Sequence, residues 1–278
     1  MRKRHPLKVT LALFLLFLAF LLFRRGSREG FSSPSLSCQG EHFSLSVRDK
    51  TLLYEVAGSG PAVVLLHGNG GSHKDLARLT KALSEHGYQV YAFDSPGQGE
   101  NPPLSSYHYE DMAEDIYAAI EALGLKKPAL YGWSDGGILG LLLEIRHPGT
   151  LSLLCGSGVN VRPDGLKPEY LLAFSALEKL GSSSLSEMVV KEPDITKEEL
   201  SSLSLPVLLT AGSDDMIREE HTREIAEAIP SCTLTILPNE SHGSYITGKD
   251  TMAELLLGFF KEQGYELEEQ GGTGGTSV

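Results

Sequence analysis

The most informative motif of this chain is Gly132-Trp133-Ser134-Asp135-Gly136-Gly137. It follows a short apolar run, residues 129–131, and precedes residues 136–146, which read as a helix. A G-x-S-x-G in this context is a strand-to-helix turn so tight that its flanking residues must be small, and it holds the serine hydroxyl exposed at the edge of the sheet. The sequence therefore predicts a nucleophile turn at Ser134.

Short apolar runs alternate with helical stretches on both sides of this turn. The apolar runs are residues 62–66, 89–93, 129–131, 151–155, 207–211 and 233–237; the helical stretches are residues 72–86, 107–123, 136–146, 219–228 and 249–263. Such alternation is typical of a parallel sheet covered by helices on both faces. Ahead of it, residues 42–47 and 51–56 alternate in polarity around a turn, which predicts an antiparallel hairpin.

One long insert, residues 159–204, separates the runs 151–155 and 207–211. Its amphipathic stretch predicts a small helical cap. The apolar residues of that stretch are Tyr170, Leu171, Phe174, Leu177 and Leu180.

A serine nucleophile needs a base and a group that orients the base. In a strand-based layout the acid follows the run 207–211 and the base follows the last strand. His242 comes five residues after the last run and is the candidate base. His221 is on a predicted helix and is expected at the surface.

Two neighbouring carboxylates compete for the role of the acid. The spacing after Gly212 favours Asp215, with Asp214 as the alternative. Asp164, after the run 151–155, is a third and weaker candidate. The sequence leaves the choice between Asp214 and Asp215 open.

The loop His67-Gly68-Asn69-Gly70-Gly71 follows the run 62–66 at the same predicted edge. Glycine-rich backbone can approach a substrate closely, and a developing oxyanion needs preorganised donors. We assign these donors to the backbone amides of Asn69 and Asp135. The chain contains neither G-x-x-x-x-G-K-[ST] nor G-x-G-x-x-G, which excludes the usual phosphate-binding loops. Three cysteines are too few and too scattered for a zinc site or a disulfide framework.

Taken in order, these motifs resemble the α/β-hydrolase superfamily over about residues 41–264. The motifs are His67-Gly68-Asn69-Gly70, Asp94-Ser95-Pro96-Gly97-Gln98-Gly99, Gly132-Trp133-Ser134-Asp135-Gly136-Gly137, Gly212-Ser213-Asp214-Asp215 and His242-Gly243. The resemblance implies an eight-stranded, mostly parallel sheet flanked by helices, with a cap after the sixth strand. It also implies a Ser134, Asp215 and His242 triad, acyl transfer through an acyl-serine, and no cofactor or metal. Asn101 departs from the Ser or Thr that many members carry there.

The expected substrate is a small molecule with a carboxylic ester or a related acyl bond. Trp133, Tyr170 and Phe174 are the candidate pocket residues. The same fold also carries C–C bond hydrolases, aminopeptidases and haloperoxidases, as well as non-catalytic binding proteins, so these remain alternatives.

Charge divides the chain into two parts. The whole chain has a net charge of −12, but residues 1–28 carry seven basic and no acidic residues, leaving −19 on the rest (17 basic and 36 acidic residues). An acidic domain argues against a nucleic-acid partner, because phosphate contacts need clustered Lys and Arg.

Within the basic leader, residues 9–23 contain Thr10 as their one polar residue. A helix of this length spans about 22 Å, and flanking Leu7, Lys8 and Arg24 can extend it. No small-x-small cleavage pattern follows, so we expect residues 1–28 to be an uncleaved N-terminal membrane helix, with the catalytic domain outside the cytoplasm. A cleaved signal and secretion are the alternative. Residues 29–40 are predicted to be a linker and residues 265–278 a disordered tail.

Overall fold

The computed structural model describes residues 40–181 and 184–266. The predicted membrane helix, residues 1–28, and the linker up to residue 39 lie outside the described residues, as does the predicted tail from residue 267 onward. In the two described ranges, no helix combines the length and the apolar composition needed to cross a bilayer.

Eight strands form one sheet, which confirms the predicted eight-stranded, mostly parallel architecture. They are β1 Glu41–Val47, β2 Lys50–Ala57, β3 Ala62–Leu66, β4 Gln89–Phe93, β5 Ala129–Trp133, β6 Leu153–Ser157, β7 Val207–Gly212 and β8 Cys232–Leu237. Their spatial order is β1-β2-β4-β3-β5-β6-β7-β8. The β1–β2 and β2–β4 pairs are antiparallel, and the remaining pairs are parallel. The carboxyl ends of the parallel strands therefore meet at one edge.

Helices cover both faces of this sheet and build the cap. They are α1 Ala77–Glu85, α2 Tyr109–Ala122, α3 Asp135–Arg146, α4 Pro168–Lys179, α5 Ser184–Lys191, α6 Lys197–Ser201, α7 Glu219–Ala228 and α8 Thr251–Glu262. Along β3, Val63 and Leu65 pack under α1 and α8, whereas Val64 and Leu66 pack under α2 and α3. This division follows from the period-two alternation of side chains along a strand.

The sixth strand occupies residues 153–157, two residues later than the predicted run 151–155. Gly156 and Ser157 extend it, although neither is a typical strand residue. The Ser157 hydroxyl is buried and hydrogen-bonds to the hydroxyls of Tyr131 (3.1 Å) and Thr210 (2.7 Å) on the two neighbouring strands. Partners on both sides compensate the burial of its polar group.

The insert 159–204 forms α4, α5, α6 and a short 3-10 turn, Pro163–Gly165. Its base is tied to the loop after β7. Leu166 forms a β-bridge with Ile217, and the Lys167 N–H donates to the Met216 carbonyl at 2.8 Å. This attachment places the cap beside Asp215.

The folded domain extends one residue beyond the predicted boundary at residue 264. The Tyr265 hydroxyl donates to the Ala62 carbonyl at 2.6 Å and accepts from the Ala129 N–H at 3.0 Å. It thereby joins the amino-terminal ends of β3 and β5, so Tyr265 belongs to the domain rather than to the tail. The Tyr265 ring also packs against Phe260 and Tyr88. The sequence did not predict this contact, because the residues around Tyr265 are acidic.

Candidate active site

Ser134 lies at the sharp turn between β5 and α3. Its backbone has φ 53° and ψ −114°, a conformation that a non-glycine residue adopts only when its surroundings impose it. A Cβ at Gly132 would lie 2.2 Å from the Gly136 backbone, and one at Gly136 would lie 2.3 Å from the Leu66 carbonyl oxygen. The glycines of the motif are thus required by close backbone approach, and half-buried Ser134 is held at the carboxyl edge of the sheet.

The structure brings Asp215 and His242 together. The His242 Nδ1 and the Asp215 Oδ1 are 2.6 Å apart, and the Asp215 side chain is 1% exposed. Burial alone would raise the pKa of Asp215, but the charge of His242 and hydrogen bonds from His242 and the Ile217 N–H hold that pKa below its usual value. Asp215 is therefore ionised and can orient the imidazole and stabilise an imidazolium.

The other two carboxylates do not reach the imidazole. Asp214 is exposed. Asp164 is exposed too, and its side chain pairs with Arg162 at 3.4 Å. The geometry therefore places Asp215, and neither alternative, beside His242.

Among the hydrogen bonds of the described residues, none joins the Ser134 hydroxyl to His242. In unliganded active sites such bonds are often long and tighten only when substrate binds. The assignment of Ser134 and His242 as a reacting pair remains a prediction.

Trp133 supports the histidine loop. Its Nε1 donates to the His242 carbonyl at 2.9 Å, and its ring centroid is 5.9 Å from that of the imidazole. A Cβ at Gly243 would lie 2.7 Å from the indole. Trp133 also packs against the core under α1 and α8. These contacts show that Trp133 supports the His242 loop. From the sequence, Trp133 was predicted only as a pocket residue.

Two backbone amides of the glycine-rich loop after β3 are used in hydrogen bonds within the protein. The Gly70 N–H donates to Gln98 Oε1 at 2.6 Å, and the Gly71 N–H donates to the Gly68 carbonyl at 3.0 Å. Within the described ranges, the N–H groups of Asn69 and Asp135 have no acceptor in the protein. Asp135 is the first residue of α3, where a helix leaves its amides without partners. Both amides are therefore free to bind an oxyanion.

The side chains of the same two residues contact each other. Asn69 Nδ2 donates to Asp135 Oδ2 at 2.8 Å, and the Tyr109 hydroxyl donates to Asp135 Oδ1 at 2.8 Å. Burial raises the pKa of the Asp135 carboxyl, while these two hydrogen bonds oppose the shift. The motifs gave no sign of Tyr109, because its partner is 26 residues away in the sequence.

Asn101 holds the turn after β4 in place. Its Nδ2 donates to the carbonyls of Asp94 (2.9 Å) and Ser95 (3.1 Å), and its Oδ1 accepts from the Leu53 N–H at 2.8 Å. A serine or threonine hydroxyl has a single proton to donate and a shorter reach. The departure from the common pattern therefore adds a cross-link between β2 and this turn.

The cap places its aromatic residues near the acid. Phe174 packs with Leu166, Met216 and Ile217 in a cluster at the base of the cap. Tyr170 is 38% exposed. Burial, followed by the charges of Glu169 and Asp215, raises the pKa of the Tyr170 hydroxyl.

His221 is fully buried, so the prediction of a surface residue is wrong. Its Nε2 accepts the Val161 N–H at 3.1 Å, at the root of the cap. A Cβ at Gly165 would lie 2.4 Å from the ring. The predicted helix is confirmed as α7. His221 is buried because the insert packs against this helix, and the sequence around His221 does not indicate that contact.

The part of the chain that the structure describes contains no group of three or more His, Cys, Asp or Glu side chains arranged to hold a metal ion.

Comparison with known proteins gives consistent similarities. A family model described as the alpha/beta hydrolase fold matches residues 61–152. A pimeloyl-acyl-carrier-protein methyl ester esterase from Vibrio atlanticus is 24% identical over 257 residues, covering 75% of this chain and 98% of that protein. An sn-1-specific diacylglycerol lipase from Mus musculus is 27% identical over 233 residues, covering 66% and 75%. The crystal structure of a carboxylesterase from Bacillus subtilis superimposes with a TM-score of 0.68 at 20% identity, covering 82% and 94%. At that identity the structural likeness shows the fold alone.

Proposed function

Because this chain belongs to the α/β-hydrolase superfamily, we propose that it is a serine hydrolase that cleaves carboxylic esters or related acyl bonds through an acyl-serine intermediate. The observation that carries the proposal is the Ser134 turn, φ 53° and ψ −114°, beside two backbone amides that have no acceptor among the described residues. The buried Asp215–His242 pair supplies an oriented base. The similar proteins include a methyl ester esterase and a lipase, which favours esters among acyl substrates.

In the proposed reaction the Ser134 oxygen attacks the carbonyl carbon of the ester and its proton passes to His242 Nε2. The carbonyl oxygen becomes an oxyanion that accepts from the Asn69 and Asp135 N–H groups. The C–O bond then breaks, and the alcohol leaves with the proton from His242. Water, deprotonated by His242, then attacks the acyl carbon; the bond between that carbon and the Ser134 oxygen breaks, His242 returns the proton to the Ser134 oxygen, and the carboxylic acid is released.

The test is covalent labelling and turnover. Purified protein treated with a fluorophosphonate probe should gain one label, and digestion should locate it on Ser134. Ser134→Ala and His242→Ala should each abolish hydrolysis of short p-nitrophenyl esters, whereas Ser202→Ala, an exposed serine on the cap side of the chain, should retain it. Unchanged turnover in both site variants would refute the proposal. A wild-type protein that neither labels nor turns over any ester in the panel would favour the non-catalytic alternative.

The cap supports a small or medium apolar acyl group as the preferred substrate. Phe174 contributes to the apolar cluster beside the acid loop, and the charge of Asp215 contributes to the raised pKa of Tyr170. Phe174→Ala should shift the preferred p-nitrophenyl ester toward longer chains, because it removes apolar volume. Leu180→Ala, at an exposed position, is the matched control. An identical chain-length profile for Phe174→Ala and wild type would remove Phe174 from the pocket.

We further propose, from the sequence alone, that residues 1–28 anchor the protein in a membrane with the domain outside the cytoplasm. The support is the apolar run at residues 9–23 with basic flanks. Cell fractionation should recover the protein with membranes, and the mass of its amino terminus should include residue 1. A mature protein that begins after residue 28 would overturn the anchor and support secretion.

A further inference from the structure

The Asp135 carboxylate is buried next to the candidate oxyanion site without a cation. Its residue is 3% exposed. Both carboxylate oxygens accept from neutral donors, Asn69 Nδ2 and the Tyr109 hydroxyl, each at 2.8 Å. No Lys, Arg or His of the described residues forms an ion pair with it. Burying a carboxylate there costs desolvation free energy, and the two hydrogen bonds offset part of that cost.

The backbone of Asn69 is less constrained by hydrogen bonds than that of Gly70 and Gly71. The Gly70 and Gly71 amides are held by Gln98 and by the Gly68 carbonyl. Among the residues that the structure describes, none accepts the Asn69 N–H, and Asn69 is half-exposed. The hydrogen bond from Asn69 Nδ2 to Asp135 is the contact that fixes the orientation of this residue, and therefore of its free N–H.

Tyr109 fixes the carboxylate in turn. It is the first residue of α2 and is 2% exposed. Its own N–H donates to Glu192 Oε2 at 3.0 Å, at the end of the cap helix α5. The chain Asn69–Asp135–Tyr109–Glu192 thus joins the loop after β3, the nucleophile turn, α2 and the cap.

We propose that the Asp135 side chain is a positioning group that holds the two oxyanion-binding amides, its own and that of Asn69, at a fixed separation, with the Tyr109 hydroxyl holding the carboxylate. This proposal rests on the proposed serine hydrolase function. It assigns Asp135 two separate tasks, because its backbone N–H binds the oxyanion and its side chain aligns the second donor. Preorganisation of that kind affects kcat more than KM, since the oxyanion exists only after attack.

An exchange of the two side chains tests the proposal. Asn69→Asp faces one carboxylate with another and breaks the contact. Adding Asp135→Asn gives the new amide at position 135 a proton to donate to the new carboxylate at position 69, and leaves its oxygen to accept from Tyr109. Removing an oxyanion donor costs about 100-fold or more in kcat, so we expect Asn69→Asp to lower kcat about 10- to 100-fold with KM within about twofold. The double variant should return kcat to within about threefold of wild type.

A second pair of variants separates positioning from stability. Tyr109→Phe removes the hydroxyl that donates to Asp135 at 2.8 Å. Its control, Tyr88→Phe, removes a hydroxyl that donates to the Tyr265 carbonyl at 2.9 Å. Both should lower the unfolding temperature. Only Tyr109→Phe should lower kcat, by about tenfold or less, and it should weaken a trifluoromethyl ketone inhibitor by the same factor, because that inhibitor forms a tetrahedral oxyanion.

Three outcomes overturn the proposal. They are an active Asn69→Asp variant, a double variant no faster than Asn69→Asp, and equal kcat values for Tyr109→Phe and Tyr88→Phe. If any variant fails to fold, the remaining comparison still decides. Wild-type protein without turnover or labelling at Ser134 would instead refute the proposed function, and this inference with it.

Discussion

Replacing His221 by Gln should remove a pH-dependent loss of stability. The imidazole is buried and accepts the Val161 N–H through Nε2 at 3.1 Å, so its proton is on Nδ1. Burial, aided by the positive charges of Arg162 and Arg218, lowers the pKa of His221 to about 4, against the partial attraction of Glu224 and Asp164. A glutamine side-chain oxygen can accept the same N–H and does not titrate.

The magnitude follows from linkage. The folded pKa of about 4 lies below the ordinary value of 6.5, so the unfolded chain binds this proton more readily. The stability associated with neutral His221 is therefore complete above about pH 6.5 and is lost as the pH falls toward 4. Between pH 7.5 and pH 5.0 wild type should lose about 2 kcal/mol of unfolding free energy more than His221→Gln.

The assay is urea unfolding of the full chain at a series of pH values, followed by the fluorescence of Trp133, the single tryptophan. Carboxylates titrate in the same range in both proteins, so only the difference between them is informative. His108→Gln is the control, because Glu192 raises the pKa of His108 and that shift has the opposite sign. Parallel curves for wild type and His221→Gln, within about 0.5 kcal/mol, would show that His221 does not cause this loss of stability.

Three further variants test the fold and its supports. Gly136→Ala should lower the free energy of unfolding by about 3 kcal/mol or more, because its Cβ would lie 2.3 Å from the Leu66 carbonyl oxygen. Gly258→Ala, in α8 with open space around it, should raise that free energy by about 0.5–1 kcal/mol in thermal unfolding. Equal stabilities of the two variants would contradict the steric explanation. Tyr265→Phe should lower the unfolding free energy by about 1–3 kcal/mol, since it removes the hydroxyl that bonds to the half-buried Ala62 carbonyl and to the buried Ala129 N–H. A wild-type urea midpoint would show that Tyr265 does not stabilise the domain. Asn101→Ser should cost a similar amount by the same assay, and an unchanged midpoint would show that the β2 cross-link contributes nothing.

The strand-to-helix turn at Ser134 and the sheet could be predicted from the sequence, because their signals are local. Glycines beside Ser134 reflect contacts within the motif and with the adjacent strand. Apolar runs of five or six residues separated by amphipathic stretches indicate a covered parallel sheet wherever they occur. The sixth strand was predicted two residues too early because Gly156 and Ser157 belong to it, and the hydrogen bonds of the Ser157 hydroxyl to neighbouring strands leave no local pattern in the sequence.

The order of motifs along the chain also predicted which loops meet at the carboxyl edge. It did not separate Asp214 from Asp215, since the two are adjacent and chemically identical. The tertiary structure decided this point by burying Asp215 against His242 and exposing Asp214.

The sheet, the turn at Ser134 and the set of loops around it thus follow from residues that are close together in the chain. Three features depend on long-range packing instead: His221 lies under the cap, Tyr265 joins β3 and β5, and the Asn69–Asp135–Tyr109 contacts join residues 66 and 26 positions apart. Contacts between residues so far apart in the sequence depend on how the helices and the cap pack on the sheet, and local sequence patterns do not indicate that packing.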